Sequence, residues 1–391
     1  MQKKSIAFEI VLTVAVAISA LVLAFVLLLF LLFSGINPAI QNIIGVCYAV
    51  GVAFLIWLIY KKRLPKKVWR IGVYICCGAI AASFVYAAPK IYEGSLPTLS
   101  ELDNHALIAK YQPHRADSQA VQLNEPSALA LSGDLPRIDC ATALYPVAAA
   151  FAGAAYPAGN YDPYESALKC SGTPDAYASL ILGNCDVIFV AGPSDAQLAD
   201  AQKKGVQFKL TPIGKEAFVF FVSAQNPVDT LSVEQVQSIY SGDVTNWSAL
   251  GGPSQEIRAF QRDEGSGSQT ALLKLMKGKT LMKAPNEDVV DGMGGIIRQV
   301  ADYKNYPNAI GYSFRFYSTE MVKNNQIKLL ALNGVLPDKQ TIADGTYPLT
   351  SQFYAVTVEG RETQNTTRLV DWALSPQGQY LIGQTGYVPV S

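Results

Sequence analysis

Hydrophobic positions along the 391 residues fall into two regimes. Three uncharged apolar runs dominate the first ninety: Ile10 to Phe33, Ile40 to Tyr60 and Ile71 to Ala88. At 1.5 Å per residue, runs of this length match a hydrocarbon layer ~30 Å thick, so the pattern predicts three transmembrane helices. Turn chemistry at Ser34-Gly35-Ile36-Asn37-Pro38 separates the first two, and Lys61-Lys62-Arg63-Leu64-Pro65-Lys66-Lys67 separates the second from the third. Positive charge stays on the cytoplasmic side, which puts this loop and Lys3-Lys4 inside and everything after Lys90 outside the cytoplasm. The first run exceeds the apolar core of a cleaved signal peptide. No ionisable residue sits near the middle of any run, as befits an anchor rather than an ion pathway.

Beyond Lys90 the pattern changes. Residues 91–136 are polar and mixed, with Pro97, Pro113, Pro126, both histidines (His105, His114) and no sustained period; they read as an extracytoplasmic linker. From Arg137 onward short β-like runs alternate with amphipathic stretches. Asp186 to Val190 and Ala217 to Val222 read as strands, and Ser232 to Tyr240, Thr270 to Met276 and Thr366 to Ile382 as helices. This alternation predicts an α/β fold with helices covering a sheet, long enough for two lobes.

Charge sharpens the division. The chain carries 31 basic and 31 acidic side chains, yet nine of the basic and only one of the acidic (Glu9) lie within residues 1–90. A basic anchor is thus joined to an acidic outer part of net charge about −8, which excludes a nucleic-acid binder with its basic face. The mean hydropathy of +0.19 averages the two parts. Six cysteines are too sparse for a disulfide scaffold. No Cys/His pattern has metal-ligand spacing, and neither metal nor cofactor is expected.

Open α/β sheets bind ligands where strands feed helix N-termini. Three junctions rich in hydroxyls and small residues stand out. The first is Arg137-Ile138-Asp139-Cys140-Ala141-Thr142-Ala143-Leu144-Tyr145-Pro146, ahead of an alanine-rich helix. The second is Cys170-Ser171-Gly172-Thr173-Pro174-Asp175, with Thr173 suited to an N-cap and Pro174 to the first helical position. The third is Arg262-Asp263-Glu264-Gly265-Ser266-Gly267-Ser268-Gln269-Thr270. Each offers unpaired backbone N–H groups and a hydroxyl, the donors an oxyanion needs. Arg262 adds a planar fork for two oxygens.

At these residues the chain resembles the phosphate-binding proteins of bacterial ABC importers. The likeness covers about residues 137–391. It rests on ATALYP at 141–146, DVIFVAGPSD at 186–195, NPVDTLSVEQVQSIYSGDVTNWSALGG at 226–252, the Arg262 to Ser268 loop and AIGYSFRF at 309–316. The resemblance implies a two-lobe type II periplasmic-binding-protein fold, here preceded by three transmembrane α-helices in place of the usual cleaved signal or lipid anchor. It implies a lobe of about 137–212 with 350–391 and another of about 213–349, with hinge crossings near Leu210 to Gly214 and Tyr347 to Thr350. It further implies inorganic phosphate held by Arg262, Glu264, Ser266, Gly267 and Ser268, by Thr142 and Ala143, and by Thr173 with Ser171 as its alternative. Asp195 matches the carboxylate that accepts the proton of hydrogenphosphate and so rejects sulfate; the plainer reading of Asp195 is a helix N-cap. The chain departs from the family pattern at Cys140, where glycine is commoner, and at Glu264, where aspartate is.

Cys140 and Cys170 each end a strand beside the implied cleft, either bonded or as two separate thiols, and Cys185 reads as core. The resulting expectation is a membrane-tethered solute-binding protein working with an ABC permease. A phosphate sensor acting through a partner is the alternative. An enzyme is not expected: from Arg137 onward there is no histidine and no Walker loop, and Gly292-Met293-Gly294 lacks the third glycine of a dinucleotide fingerprint.

Overall fold

The computed structural model describes residues 104–284, 289–290, 308–322 and 326–390. The three expected membrane spans lie outside the described residues, among which no helix is long and apolar enough to cross a membrane.

The strands among the described residues are β1 (Ile138–Cys140), β2 (Val187–Ala191), β3 (Phe208–Ser223), β4 (Thr230–Leu231), β5 (Arg258–Ala259), β6 (Gln261–Arg262), β7 (Val289–Val290), β8 (Ala309–Phe314), β9 (Ile327–Leu329), β10 (Ala331–Leu332), β11 (Thr350–Val358) and β12 (Val388–Pro389). The α-helices are α1 (Asn104–Ala109), α2 (Tyr145–Ala155), α3 (Thr173–Leu182), α4 (Asp195–Lys203), α5 (Val233–Ser241), α6 (Gly267–Leu275), α7 (Lys339–Ala343), α8 (Gln364–Ala373) and α9 (Pro376–Thr385). The main sheet runs β1-β2-β11-β3-β8-β5, with β9 and β12 also pairing β3.

β3 organises the two-lobe architecture. Its first part, Phe208 to Ala217, pairs antiparallel with β11, while Phe218 to Val222 pair with β8. The strand therefore changes partners between Ala217 and Phe218, and its second part is buried throughout. The β3–β11 register slips between Phe353 and Tyr354, which face Gly214 and Pro212 and leave Ile213 as the extra residue of a bulge. Gly214 is required here: a Cβ would stand 2.2 Å from Cζ of Phe353.

The helices cover the sheet as their sequences allow. Nine residues of α2 are buried, because alanine on most faces lets it pack on several sides. Ser194 and Ser232 start α4 and α5 with reciprocal capping boxes to Gln197 and Gln235.

Three local expectations are corrected. Thr366 to Ile382 is two helices, because Ser375 caps a new helix and Pro376, lacking an N–H, cannot continue the old one. The N-cap of α3 is Gly172 at φ 91°, and Thr173 is its first helical residue. Residues 104–136 are no loose linker: Leu107, Ile108, Leu129 and Leu131 are buried in the main core. Leu131 N–H donates to Ala155 O at 2.8 Å, and Gln377 takes a hydrogen bond from Ala128 N–H, also at 2.8 Å.

Candidate functional site

The first junction leaves β1 at Cys140, turns through a 3-10 segment at Thr142–Leu144 and enters α2, whose N-cap residue Leu144 makes no side-chain cap. The first N–H groups of α2 thus lack a side-chain acceptor of this kind. Ala143 is buried and Thr142 half-buried. The Tyr387 hydroxyl donates to Ala143 O and pins the turn.

At the second junction Gly172 also gives no side-chain cap, leaving the start of α3 open. Thr173 is buried. Ser171 is committed elsewhere: its hydroxyl donates to Asp139 Oδ2 at 2.7 Å and its N–H to Asp139 Oδ1 at 2.9 Å. With its proton spent on a carboxylate, Ser171 has none for an anion, and Thr173 is the better placed of the two.

The third junction begins at β6, turns through Gly265 at φ 84° and enters α6. Ser266 is the N-cap, accepting from Gln269 N–H at 3.2 Å. Ser268 is completely buried, and its hydroxyl has no hydrogen-bond partner. Such an orphan costs about 1–3 kcal/mol; Tyr145, Tyr240 and Ser313 carry buried hydroxyls in the same state, and of the four only Ser268 stands in the first turn of α6. Arg262 N–H donates to Tyr312 Oη at 2.8 Å and to Gln269 Oε1 at 3.0 Å, which fixes the arginine against α6. Its guanidinium donates through Nε and Nη2 to Asp263 Oδ1, at 3.2 and 3.0 Å. Asp263, the adjacent residue, is thus one acid that holds Arg262. Glu264, expected in the site, is exposed on the turn.

The second and third junctions meet. Thr173 Oγ1 lies 3.3 Å from where a Cβ would stand on Gly267, with Phe314 Cε2 at 3.5 Å and Ala191 Cβ at 3.6 Å. Gln197 Nε2 reaches across to Gly265 O at 3.4 Å. Thr173 also lines a cavity of about 20 Å³ with Ala143, Ala191, Glu216, Phe314 and Phe353. Arg262, Ser266 and Ser268 are not part of that lining, and neither is Thr142. Thr173 thus touches both the α6 N-terminus and the cavity that Ala141, Ala143 and Leu144 of the first junction help line.

Two carboxylates differ from expectation. Asp195 is exposed in the first turn of α4, whose cap is Ser194. It is therefore neither the N-cap nor a residue of the cavity. The strand end facing the other lobe is Ala191-Gly192, where a Cβ on Gly192 would lie 3.5 Å from Lys274 Nζ. The carboxylate in the cavity wall is Glu216, on the crossing strand β3. Burial pushes its pKa up to about 7 against the opposing pull of two backbone N–H donors, Ala217 at 2.8 Å and Phe316 at 3.2 Å. Nearby Arg315 lowers the pKa and Glu320 raises it. Nothing local in the sequence marks Glu216, because Phe316, a hundred residues away, helps bury it. Among the described residues no group of His, Cys, Asp and Glu is arranged to hold a metal ion.

Comparison with known proteins bears on this geometry. The phosphate-binding protein PstS of Borreliella burgdorferi is 25% identical over 189 residues, covering 46% of this chain and 66% of that protein. PstS of Bacillus subtilis is 26% identical over 194 residues, covering 49% and 61%. This chain thus spans less than two thirds of the length of these relatives. A crystal structure of a phosphate ABC transporter substrate-binding protein from Clostridium perfringens, with bound phosphate, superposes with a TM-score of 0.52 at 21% identity. It covers 66% of this chain and 100% of that one, and it shows the shared fold. These sequence relatives are binding proteins by name. A family model described as the PBP superfamily domain matches residues 127–377, well over half of the sequence, and the chain belongs to that superfamily.

Proposed function

We propose that the chain captures inorganic phosphate between its two lobes and hands it to an ABC permease. The ligand is held by the Arg262 guanidinium, by Ser266, Gly267 and Ser268 at the α6 N-terminus, by Thr173, and by Thr142 and Ala143 of the first turn. The observation that carries this reading is the buried, unpartnered Ser268 hydroxyl in the first turn of α6, beside the point where Thr173 closes on Gly267. Helix N-termini favour anions, and each charge-assisted hydrogen bond is worth about 1.5–3 kcal/mol. The names of the relatives support phosphate as the ligand.

The lobes are about 137–212 with 350–391, and about 213–349, moving about β3 and the start of β11. The change of β3 pairing partners at Ala217 and Phe218 supports such a hinge. The apolar runs at 10–33, 40–60 and 71–88 tether the domain to the lipid bilayer, with the N-terminus cytoplasmic and the binding domain outside the cytoplasm. Their lengths and the flanking Lys/Arg support that topology.

Isothermal calorimetry of the detergent-solubilised full chain tests the ligand. Saturable heat with phosphate, abolished in Arg262→Ala with an unchanged thermal transition, is the expected result. No heat up to millimolar phosphate, or full affinity in Arg262→Ala, overturns the proposal.

A further inference from the structure

Cys140 and Cys170 lie at the mouths of the first two junctions, directly ahead of Ala141-Thr142-Ala143 and Ser171-Gly172-Thr173. Ile138 bridges Leu168 in parallel register. Ile138 N–H donates to Ala167 O at 2.7 Å, and Lys169 N–H to Ile138 O at 2.8 Å. The bridge is isolated, but the two segments stay side by side beyond it, where Gly172 N–H donates to Cys140 O at 3.1 Å, and this brings Cys140 close to Cys170. Neighbouring strands stand about 4.7–4.9 Å apart, inside the ~4.4–6.8 Å range of Cα separations that a disulfide spans. The side chains agree with the register. The Cys140 thiol donates at 3.3 Å to the carbonyl of Lys169, the residue before Cys170, and burial first and the neighbouring Cys170 next push its pKa up. Both sulfurs are buried in the same core cluster, whereas Cys185 packs in a separate one.

We infer that Cys140 and Cys170 are a disulfide-forming pair whose oxidation staples the first two junctions together. All three cysteines of the described region are free thiols in this structure. The oxidant is a disulfide of a small thiol or of an exchange protein. The Cys140 and Cys170 S–H bonds break and one S–S bond forms. The attacked disulfide takes up the two electrons and both protons and leaves as two thiols. Exchange occurs while the chain folds, because burial in the native state closes access to both sulfurs and disfavours the Cys140 thiolate. The closed loop contains α2 and fixes the entry to α3. The bond therefore acts on the two turns that supply Thr142, Ala143 and Thr173, and its formation does not depend on which ligand they hold.

The full chain, reduced with dithiothreitol in mild denaturant, is returned to native buffer with oxidised glutathione, alkylated and mapped by mass spectrometry without reduction. The expected product is one cross-linked peptide pair joining Cys140 to Cys170, lighter by two hydrogen atoms than the separate peptides. It forms in Cys185→Ser as in the unmodified chain. The oxidised form melts roughly 5–10 °C above the reduced form. In Cys170→Ala, which keeps an apolar side chain in the core, that difference disappears. Alkylation of both cysteines after oxidation, or a bond from either to Cys185, overturns the inference. A Cys140–Cys170 bond that leaves the melting temperature unchanged overturns the stapling. The mapping is read without phosphate, so it succeeds or fails independently of the ligand assignment.

Discussion

Thr173 and Gly267 face each other across the cleft, the threonine Oγ1 only 3.3 Å from the place a Cβ would take on the glycine. Gly267 is the first residue of α6, with no positive φ to demand glycine. The requirement is one of space between lobes. Alanine there lowers the backbone entropy of the unfolded chain, so Gly267→Ala is expected to leave the thermal midpoint unchanged or slightly higher. The added methyl is tight only against Thr173 Oγ1 and meets Phe314 and Ala191 at ordinary contact distance, so it acts on the approach of Thr173 to the α6 N-terminus. Calorimetry should show phosphate affinity reduced about tenfold, and Gly267→Val should lose it altogether. Equal affinity in Gly267→Ala would mean that the ligand does not need this contact.

Asp263 holds Arg262 through two hydrogen bonds to a single oxygen, while the neighbouring Glu264 is exposed. Asp263→Asn keeps an acceptor but removes a charge that holds the guanidinium. Affinity for phosphate should drop several-fold with little change in stability, since the pair is partly exposed and such pairs contribute at most about 1 kcal/mol. Glu264→Gln should bind as the unmodified chain does. The reverse ranking of the two variants, measured by calorimetry, would place Glu264 among the binding residues in preference to Asp263.

Glu216 links the cavity to pH. Its folded pKa is raised from 4.5 to about 7, so the folded state binds the proton more tightly than the unfolded state. The stability this contributes is fully present below pH 4.5 and is lost as pH rises through about 7. A shift of that size corresponds to about 3 kcal/mol as an upper figure. Asp186, whose pKa is lowered despite burial by its pairing with Arg137, acts in the opposite sense and only in more acid solution. Urea unfolding between pH 5 and 8 should therefore show stability falling with pH, and Glu216→Gln should flatten that slope. A slope of the same size in Glu216→Gln would assign the effect to another group.

The parts of the fold legible in the sequence were those whose signal is local. Asp186 to Val190 and Ala217 to Val222 are apolar, β-branched or aromatic runs, and they lie within one residue of β2 or inside β3. Ser232 with Gln235 announces the start of α5 by side-chain chemistry alone. The break at Ser375-Pro376 was obscured because Leu369, Val370, Leu381 and Ile382 present buried apolar positions on both sides of it. Leu107, Ile108, Leu129 and Leu131 join the core from a stretch with no period, so their burial follows from tertiary contacts. In the site, Arg262, Ser266, Gly267 and Thr173 were legible as a strand-loop-helix composition. Asp195 and Glu264 were implied by the family resemblance, which does not say which of two adjacent residues turns inward. Ser194 captures the helix start ahead of Asp195, and Asp263 captures Arg262 ahead of Glu264. Glu216 had no such signal, because β3, Phe316 and Tyr387 come together only in the folded chain.

Ser268 separates a binding role from a structural one in a single substitution. Its hydroxyl is fully buried and bonds to nothing in the described structure. Removing a satisfied buried hydroxyl destabilises a protein, whereas removing an unsatisfied one relieves a desolvation cost of about 1–3 kcal/mol. Ser268→Ala should therefore unfold at an equal or higher temperature than the unmodified chain when phosphate is absent. In the presence of phosphate the order should reverse, because the unmodified chain gains RT ln(1 + [L]/Kd) from a ligand that the variant holds less tightly. Losing one hydrogen bond to a charged ligand, worth about 1.5–3 kcal/mol, predicts an affinity lower by roughly ten- to hundredfold. Thermal melts at zero and millimolar phosphate read both effects in one experiment. A Ser268→Ala chain that is less stable without phosphate and equally stabilised by it would make the hydroxyl a structural group, and the α6 N-terminus would no longer be the anion site.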